Sequence, residues 1–597
     1  MTLIQLGRTT PLLSATIPYD YPFVRKIALG NYIVDRELLA IFPNLEEQRN
    51  RTIDVIGLRD RSSQTYDKKA SINDVIGEPV TWFFDKTEQL LYVHMKRTDS
   101  PIAIMFLYGQ TQGFSEGKLV YVDDLVYEPV ITSSIGLGQQ EDLAESGKLS
   151  FITGSIELSN AGGRLDDLIS LPVYGNDVLI YNAETNIDGD TINSDGVIQL
   201  ATLFVEDNDV GVNNISLRVQ DKRKGQDIQL PEKRFDSSEY PNIENELMGA
   251  VIPIMWGTAK EIPCIVTNGN LDSGAVNYRA AILLTELGTV NVETDSGWVA
   301  VTPTVTNLDT GEFTIAEEDG RDSNGNALDA KIIGATGIEI TFISDIIKDI
   351  NFRYGNYSES ASNYDLDEWA VEETALSNGA LYIDDATTLF NIIHILQQGA
   401  NVGFRYEITA DGRRTIRIDN ENRDSVAHID SVVIENRNKL TVKNSSKLLA
   451  GEYIAKYNHS YVTGKNLRVI DSSERSGMLE IYGQAPRREF PKKTPPIITA
   501  KIAAEEKIEW ARNRFSKIRG VVKCRILCAG ESRRELLKLR IYDIITIEIT
   551  PSGLVDVDAA TIEGRSFYGI KKCKILSINP DARSAVNEIE AVIIGDA

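Results

Sequence analysis

The stretch from Gly154 to Ile180 constrains the fold of this chain more than any other. Ile156 and Leu158 alternate with polar neighbours, which is the period of a half-buried β-strand. The Asn-Ala-Gly-Gly sequence at 160–163 predicts a tight corner, because glycine adopts positive φ at little cost. A second strand is predicted at 178–181. The stretch therefore predicts two strands joined by a glycine corner and a short linker.

Short strands bounded by turn residues recur along the chain and predict a mainly β, multidomain protein of β-barrel or β-sandwich modules with a small α/β, helix-containing domain. At 597 residues the chain is too long for a single hydrophobic core. We divide it into an N-terminal β module (1–130), part of a β-barrel domain (131–260), a β insertion domain (261–340), a small α/β domain (341–430) and a C-terminal β-barrel domain with one helix (431–597).

Three segments carry helical periodicity instead of strand alternation. The predicted helices cover 343–354, ended by Gly355; 389–396, capped by Asp384 and Asp385; and about 499–517, capped by Thr499. A β-hairpin is predicted over 403–418, after the second helix. Because these helices occupy a minority of the chain, the class remains mainly β.

The charge of the chain limits the partners that we expect. Lys and Arg number 62 against 87 Asp and Glu, which gives a net charge of −25. Nucleic acids and anionic membranes favour basic surfaces, so neither is expected as the main partner. The first ten residues lack a basic-then-apolar signal segment, and the longest apolar run, Gly249 to Gly257, is far shorter than the roughly 20 residues of a membrane helix. We therefore expect a soluble protein with no membrane anchor.

No constellation of residues predicts a catalytic, cofactor-binding or metal site. The four cysteines, at 264, 524, 528 and 573, lack CxxC spacing and are predicted to be reduced, buried thiols. The four histidines, at 94, 394, 428 and 459, show no paired zinc-binding spacing. Residues 322–329 begin like a calcium loop, but Ala327 stands where glycine is required and Ile333 where the bidentate glutamate should be, so a polar turn is predicted.

Four local patterns resemble segments of bacteriophage tail hub and tail-tip (baseplate hub) proteins, and they occur in the order expected of that family. They are Leu-x-Asn-x-x-Gly-Arg-Leu-Asp-Asp with Gly-x-x-Val-x-Ile inside 154–180; Tyr240-Pro241 followed by Gly-x-x-Ile-Pro-Ile-x-x-Gly at 249–257; the helix, helix, hairpin order of 341–418; and Leu-x-x-x-Asp-Ile-Ile-Thr-Ile at 539–547. The patterns span most of residues 150–597, and we recognise no resemblance to any family in residues 1–130 and 261–340.

The resemblance implies a virion structural protein that forms a ring, commonly a homotrimer, at the distal end of a tail tube. Its barrels are expected to match the tail tube or distal tail proteins, and its other faces to hold spike or fibre proteins used in host attachment. DNA would pass through the lumen of the ring. The protein would be made in the cytoplasm of the bacterial host and end in the virion. Phages, gene transfer agents and contractile injection systems all fit, so the type of particle stays open.

Arg164, Asp166 and Asp167, directly after the glycine corner, are the residues that we predict at an interface between subunits. Adjacent aspartates on an extended segment point apart, so they do not form the facing pair that glycoside hydrolysis requires. A local structural role also stays open, in which the carboxylates cap the turn or pair with Arg164.

Two other function classes remain as alternatives. A receptor- or carbohydrate-binding tail protein would use residues 261–340 as its exposed module; an aromatic patch on the surface there would favour this hypothesis, and buried aromatic residues would oppose it. A cell-wall hydrolase fused to the tail would need paired carboxylates or a Cys/His site, and the sequence indicates neither. We therefore predict no enzymatic activity, no cofactor and no metal.

Overall fold

The computed structural model describes only strand segments before residue 112, and most of the chain after it. From residue 112 onward it describes the chain apart from 116–118, 123–124, 134, 142–149, 151, 164, 166–175, 184–190, 193–196, 212, 224–227, 339, 341, 356, 358, 431–433, 435–440, 446–448, 493, 518, 530–532, 550–560, 563–564, 567–568 and 582–584.

The chain is mainly β, as the strand periodicity predicts, with 44% of residues in strands against 17% in helices. Several of its sheets curl into half-barrels. The division into five domains stays a prediction.

Among residues 2–110 the structure describes nine strands. The described strands are β1 (Thr2–Leu6), β2 (Thr9–Ile17), β3 (Val24–Ala28), β4 (Arg51–Arg59), β5 (Ser62–Thr65), β6 (Asp67–Lys68), β7 (Thr81–Asp85), β8 (Leu90–His94) and β9 (Ile102–Gln110). They form two four-stranded sheets, β2-β9-β4-β5 and β3-β8-β7-β6, while β1 belongs to a larger sheet.

That larger sheet has ten strands, contributed by β1 and by residues 112–221. The described strands of residues 112–221 are β10 (Gln112–Ser115), β11 (Val120–Val122), β12 (Leu125–Pro129), β13 (Ile131–Ser133), β14 (Gln139–Gln140), β15 (Thr153–Ser159), β16 (Asp177–Ala183), β17 (Thr191–Ile192), β18 (Val197–Val210) and β19 (Asn214–Asp221). Their order is β13-β15-β19-β18-β16-β1-β10-β12-β11-β17, and β14 lies outside it. Ile156 and Leu158 are fully buried in its core, as their alternation predicts.

Residues 261–333 contain a seven-stranded sheet, and two short strands and a 3-10 helix precede it from residue 229. The elements are β20 (Gln229–Leu230), a 3-10 helix (Asn245–Leu247), β21 (Ile254–Trp256), β22 (Glu261–Val266), β23 (Val276–Arg279), β24 (Thr289–Thr294), β25 (Gly297–Val301), β26 (Val305–Asn307), β27 (Glu312–Ile315), helix α1 (Glu317–Gly320) and β28 (Ala330–Ile333). The sheet order is β25-β24-β28-β22-β23-β27-β26. After this sheet, Ile338 and Phe342 make isolated bridges to Trp256 and Asn378.

A helical layer with a β-hairpin follows. Its elements are α2 (Ile343–Gly355), α3 (Leu366–Glu373), β29 (Leu381–Ile383), β30 (Thr387–Thr388), α4 (Leu389–Gly399), β31 (Phe404–Ile408) and β32 (Arg414–Ile418). Helices α2 and α4 and the hairpin lie where the sequence predicts them, whereas α3 was not predicted. The apolar stripes of α2 and α4 are buried in one core around Trp369.

The C-terminal part combines one large sheet, a small sheet and two helices. Its elements are β33 (Ala427–Ile429), β34 (Thr441–Ser445), β35 (Glu452–Tyr457), β36 (Leu467–Asp471), α5 (Arg475–Tyr482), β37 (Arg487–Phe490), α6 (Lys501–Phe515), β38 (Arg519–Leu527), a 3-10 helix (Arg534–Lys538), β39 (Ile544–Ile549), β40 (Thr561–Ile562), β41 (Arg565–Ser566), β42 (Gly569–Asp581) and β43 (Val586–Asp596). The large sheet runs β33-β39-β42-β43-β38-β34, and the small sheet runs β36-β35-β37. Helix α5 was not predicted.

Both predicted helix caps are wrong. Thr388, and not Asp384 or Asp385, caps α4 by accepting a hydrogen bond from the Asn391 amide. Helix α6 begins after Ala500, where no side chain caps it, instead of being capped by Thr499. In the first case the pairing of β30 with β20 keeps the chain extended up to Thr388 and delays the helix.

The two large sheets share a five-strand arrangement that the sequence does not reveal. We call β13, β15, β16, β18 and β19 module 1, with the order β13-β15-β19-β18-β16. We call β34, β38, β39, β42 and β43 module 2, with the order β34-β38-β43-β42-β39. Every neighbouring pair in both modules is antiparallel, and the strands occur in the same chain order.

The registers of the two modules agree as well. The long β18–β19 hairpin shifts register after Val205, and the β42–β43 hairpin shifts after Ile575. One residue earlier, Phe204 pairs with the first residue of β16 and Lys574 with the first residue of β39. The modules are therefore two copies of one structural unit, in which Val205 corresponds to Ile575.

Candidate assembly site

A short segment of module 1 crosses to the sheet of module 2. We call residues 135–141 the arm. Its strand β14 pairs antiparallel with β42, with Gln139 opposite Ile578 and Gln140 opposite Ser577. The Glu141 amide then donates to the Leu576 carbonyl at 3.0 Å. The arm therefore adds a strand to module 2 beside the end of β39.

The Glu141 side chain anchors the arm in the core of module 2. Its carboxylate is fully buried and accepts two hydrogen bonds of 2.9 Å from the Arg514 guanidinium on α6. The Tyr542 hydroxyl donates a third, at 2.6 Å. Burial alone would lower the pKa of Arg514, but the Glu141 carboxylate outweighs it and the pKa is raised. Burial, followed by the charge of Glu141, raises the pKa of Tyr542.

Further ion pairs link Arg514 to acidic residues in the loop that follows the β31–β32 hairpin. The other terminal nitrogen of the Arg514 guanidinium, Nη1, binds Asp419. Asp419 also accepts a hydrogen bond from Lys574 of β42 at 2.6 Å. Lys574 reaches Glu421 at 2.9 Å, and Arg519 binds the same carboxylate at 2.7 Å. Burial is the main reason that the pKa of Lys574 falls to about 8. We call Glu141, Asp419, Arg514, Tyr542 and Lys574 the junction cluster.

A second set of charges joins α3 and the hairpin to the start of β39. Arg417 pairs with Glu368 of α3 at 2.9 Å and with Asp543. Arg540 binds Glu368 at 3.0 Å and Glu407 at 3.2 Å. Burial alone would raise the pKa of Glu368, but the hydrogen bonds and charge of Arg540 lower it below its usual value.

This arrangement suits mechanical linkage. Each carboxylate named in the two sets has an arginine or lysine partner, so burial of the charges is compensated. Salt bridges with directional hydrogen bonds fix orientation as well as contact. The site therefore connects module 1, the helical layer and module 2 in one relative arrangement. Sequence reasoning missed these residues, since Glu141 and Arg514 are 373 positions apart.

The three residues predicted at a subunit interface, Arg164, Asp166 and Asp167, lie outside the described residues, and their role stays a prediction. The corner before them forms as predicted, with φ of +77° at Gly162 and +72° at Gly163. Asn160 completes it by accepting the Leu165 amide on its side-chain oxygen at 2.7 Å.

The other candidate sites have a structural explanation. Asp322 accepts hydrogen bonds from the amides of Asn324 and Asn326 at 2.8 Å, which confirms the predicted polar turn. The four cysteines are free thiols, three of them buried and Cys264 half-buried. In the described part of the chain no three His, Cys, Asp or Glu side chains are grouped to hold a metal ion. No helix among the described residues is long and apolar enough to cross a membrane.

The insertion sheet gives little support to the hypothesis of a carbohydrate-binding protein. Its described residues include three aromatic side chains, at 278, 298 and 313. Tyr278 and Phe313 are buried and stacked on each other with ring centroids 5.3 Å apart. Trp298 is half-buried, with the Lys331 ammonium 4.4 Å from its ring centre. The aromatic residues therefore belong mainly to the core of the insertion, which opposes that hypothesis.

Comparison with known proteins finds matches only among solved structures. No protein-family model matches the chain, and no curated protein matches it in sequence. The 43 kDa tail protein of prophage MuSo2 from Shewanella oneidensis is 10% identical, with a TM-score of 0.33, over 80% of this chain and 98% of that one. The tail protein from Neisseria meningitidis MC58 is 7% identical, with a TM-score of 0.32, over 76% and 90%.

A chain from the virion of a native gene transfer agent particle is 10% identical, with a TM-score of 0.35, over 58% of this chain and 84% of that one. These neighbours are tail or virion proteins, as the resemblance in the sequence leads us to expect. TM-scores of this size carry no site, partner or role over to this chain.

Proposed function

We propose that this chain is a structural protein of the tail of a phage or phage-like particle, and that copies of it form a closed hub ring at the distal end of the tail tube. The observation that carries the proposal is the duplicated module. The resemblance of four segments to tail hub proteins, in the expected order, supports the same location.

A chain with two equivalent modules suits a ring of few copies. Two modules in each of three copies give six similar units around one axis. Each copy would contact the next through a heterologous interface, which closes into a ring when the rotation between copies allows it. A tube built from six copies of a one-module protein would then meet the hub module by module.

The charged junction supports a mechanical role in that ring. The arm and the junction cluster hold the two modules of one copy together, so a copy would enter the ring as a preformed pair. The faces away from the tube are left for spike or fibre proteins, and the acidity of the chain is compatible with DNA that passes through the lumen without binding. We infer that the chain has no enzymatic activity.

The mass of the purified protein in solution tests the ring. We expect light scattering to give three times the 66.2 kDa of one chain, about 199 kDa, over a range of protein concentrations. Negative-stain images of the same sample should show closed rings with six similar densities. A monodisperse monomer at every concentration would contradict the proposal.

A separate assay tests the absence of activity. Purified peptidoglycan incubated with the protein should release no soluble fragments above the level of a heat-denatured sample. Release of fragments would favour the cell-wall hydrolase hypothesis over a purely structural role.

A further inference from the structure

We propose that the outer side of β18 in module 1 is the docking site for a basic surface on the next copy of this chain. We call residues 207–210 the acidic edge, and the surface around Arg468 of β36, Arg475 of α5 and Arg487 of β37 the basic surface. This interface rests on the ring proposed above and names the two surfaces that close it.

The position of the site follows from the duplication. In module 2 the arm occupies the side of β42 that faces away from β43, at Ser577 and Ile578. Counting from the shared register shift, Ser577 corresponds to Asp207 and Ile578 to Asn208. The acidic edge is therefore the place on module 1 where a corresponding strand would add.

In the part of the chain that the structure describes, no strand pairs with the acidic edge on that outer side. Pairing with β16 ends at Phe204, and residues 207–210 pair only with β19. Asp207 and Asp209 are exposed, and Asp209 also binds Arg218 of β19 at 2.8 Å. Val210 is 43% exposed. An edge strand with a free outer side is a template for another strand, and natural proteins usually cover it.

The duplication also indicates which segment should cover this edge. In module 1 the arm lies between the first two strands of the module, β13 and β15. In module 2 the first two strands are β34 and β38, so the segment that corresponds to the arm is 446–518, which contains β36 and α5.

The charge of that segment is opposite to the charge of the rest of the chain. Residues 446–518 contain 14 basic and 8 acidic residues, whereas the whole chain has a net charge of −25. Arg475 of α5 and Arg487 of β37 both bind Glu452 of β35, at 3.1 and 3.5 Å. Arg487 also binds Glu489 at 3.2 Å, and Lys456 binds the same Glu489 at 3.1 Å, so these three cations share two carboxylates. Arg468 of β36 is exposed nearby and adds to the positive charge.

The basic surface also has an open strand edge and exposed apolar side chains. Strand β36 is the outer strand of its sheet and pairs only with β35 in the described chain. Leu467 and Ile470 of β36 are 45% and 59% exposed, and Leu479 and Ile481 of α5 are 49% and 64% exposed. Two exposed apolar side chains on each element add apolar area against which a partner can pack.

The two surfaces complement each other in charge, in backbone and in apolar area. Strand β36 of one copy can extend the sheet at β18 of the next copy, with its arginines opposite Asp207 and Asp209. Because one chain carries both surfaces, the contact repeats from copy to copy and closes a ring without a second protein.

Charge reversal on each side tests the pairing. The edge variant carries Asp207→Lys and Asp209→Lys, the surface variant carries Arg468→Glu and Arg475→Glu, and the swapped variant carries all four. Because like charges that face each other are strongly unfavourable, we expect the edge and surface variants each to raise the concentration needed for ring formation at least about tenfold. The swapped variant should restore assembly, a result that misfolding of either variant does not produce.

The control reverses two exposed acidic residues of α1, with Glu317→Lys and Glu318→Lys, and should assemble like the wild type. Light scattering across a concentration series measures all five proteins. If the wild type forms the ring and the edge and surface variants do so equally well, this interface is wrong while the hub proposal stands. Failure of the swapped variant to recover would also overturn the pairing. A wild type that stays monomeric would overturn both proposals.

Discussion

Neutralising Glu141 is expected to release the arm from module 2. The Glu141→Gln variant keeps the size of the side chain but removes the charge that Arg514 binds. Both partners are buried, with side-chain exposures of 0% for Glu141 and 6% for Arg514, so solvent screens the pair very little. The mutation leaves the guanidinium with Asp419 as its remaining buried anion.

The magnitude follows from the burial of the pair. Removing one partner of a buried salt bridge typically costs ~3–5 kcal/mol, because the other charge is left without compensation. Since Arg514 keeps Asp419, we expect the lower end, ~3 kcal/mol. At about 1.4 kcal/mol for each factor of ten, this corresponds to roughly a 100-fold increase in the population with the arm detached.

Hydrogen exchange at the arm measures this population. The Glu141 amide, bonded to the Leu576 carbonyl of module 2, reports on detachment of the arm. Its exchange should accelerate about as much as the detached population grows, provided that reclosing is faster than exchange. Glu317→Gln, an exposed glutamate of α1, is the matched control and should leave the rates unchanged. An acceleration of less than about twofold in Glu141→Gln would refute the argument that this pair holds the arm.

Three further predictions concern single residues. Burial lowers the pKa of Lys507 to about 7, against about 10.4 for an exposed lysine. Between these pH values the unfolded chain carries a proton on Lys507 that the folded chain lacks. The free energy of unfolding of the wild type should therefore fall as the pH drops from about 10 to about 7. Urea unfolding of Lys507→Met at several pH values should show no such fall in the free energy of unfolding. The same pH dependence in the variant would contradict the lowered pKa of Lys507. Gly311→Ala should lower the urea midpoint, because φ is +69° there and a Cβ would overlap the Ala281 carbonyl oxygen. Gly274→Ala is the control, because Gly274 also has a positive φ but a Cβ there would meet no other atom. Its smaller loss of stability would measure backbone strain alone, without steric overlap. Alkylation of the native protein should be slow, because burial raises the thiol pKa to about 12 at residues 524, 528 and 573. Rapid labelling of these thiols without denaturant would contradict their burial.

Elements governed by local pattern could be predicted from the sequence. The alternation at Ile156 and Leu158 and the isoleucine stripe of α2 each decide which face is buried, and both are found in the cores. The start of α4 could not be predicted in this way. Thr388 is held in β30 by Gln229, which is 159 positions earlier, so a tertiary contact and not local capping preference sets the boundary.

The candidate site was beyond sequence reasoning for a different reason. An arginine in a strand normally indicates a position that faces solvent. The Arg417 side chain is only 8% exposed, because it pairs with Asp543, which is 126 positions away in the sequence. The duplication is hidden as well, because the two modules share strand order and register but not residue identity. Asp207, for example, corresponds to Ser577, and Asn176 corresponds to Asp543 by their bonds to Val205 and Ile575.

The use of buried charges at the junction is itself informative about assembly. An apolar contact of the same size would often be as stable or more stable, because burying charges has a large desolvation cost. What paired charges add is direction, since the Glu141 carboxylate has to meet both the Nη2 of Arg514 and the hydroxyl of Tyr542. A ring closes only if each copy presents its two modules at one fixed angle. The junction cluster therefore has the properties needed to set that angle, and its loss should widen the distribution of ring sizes more than it lowers the stability of either module.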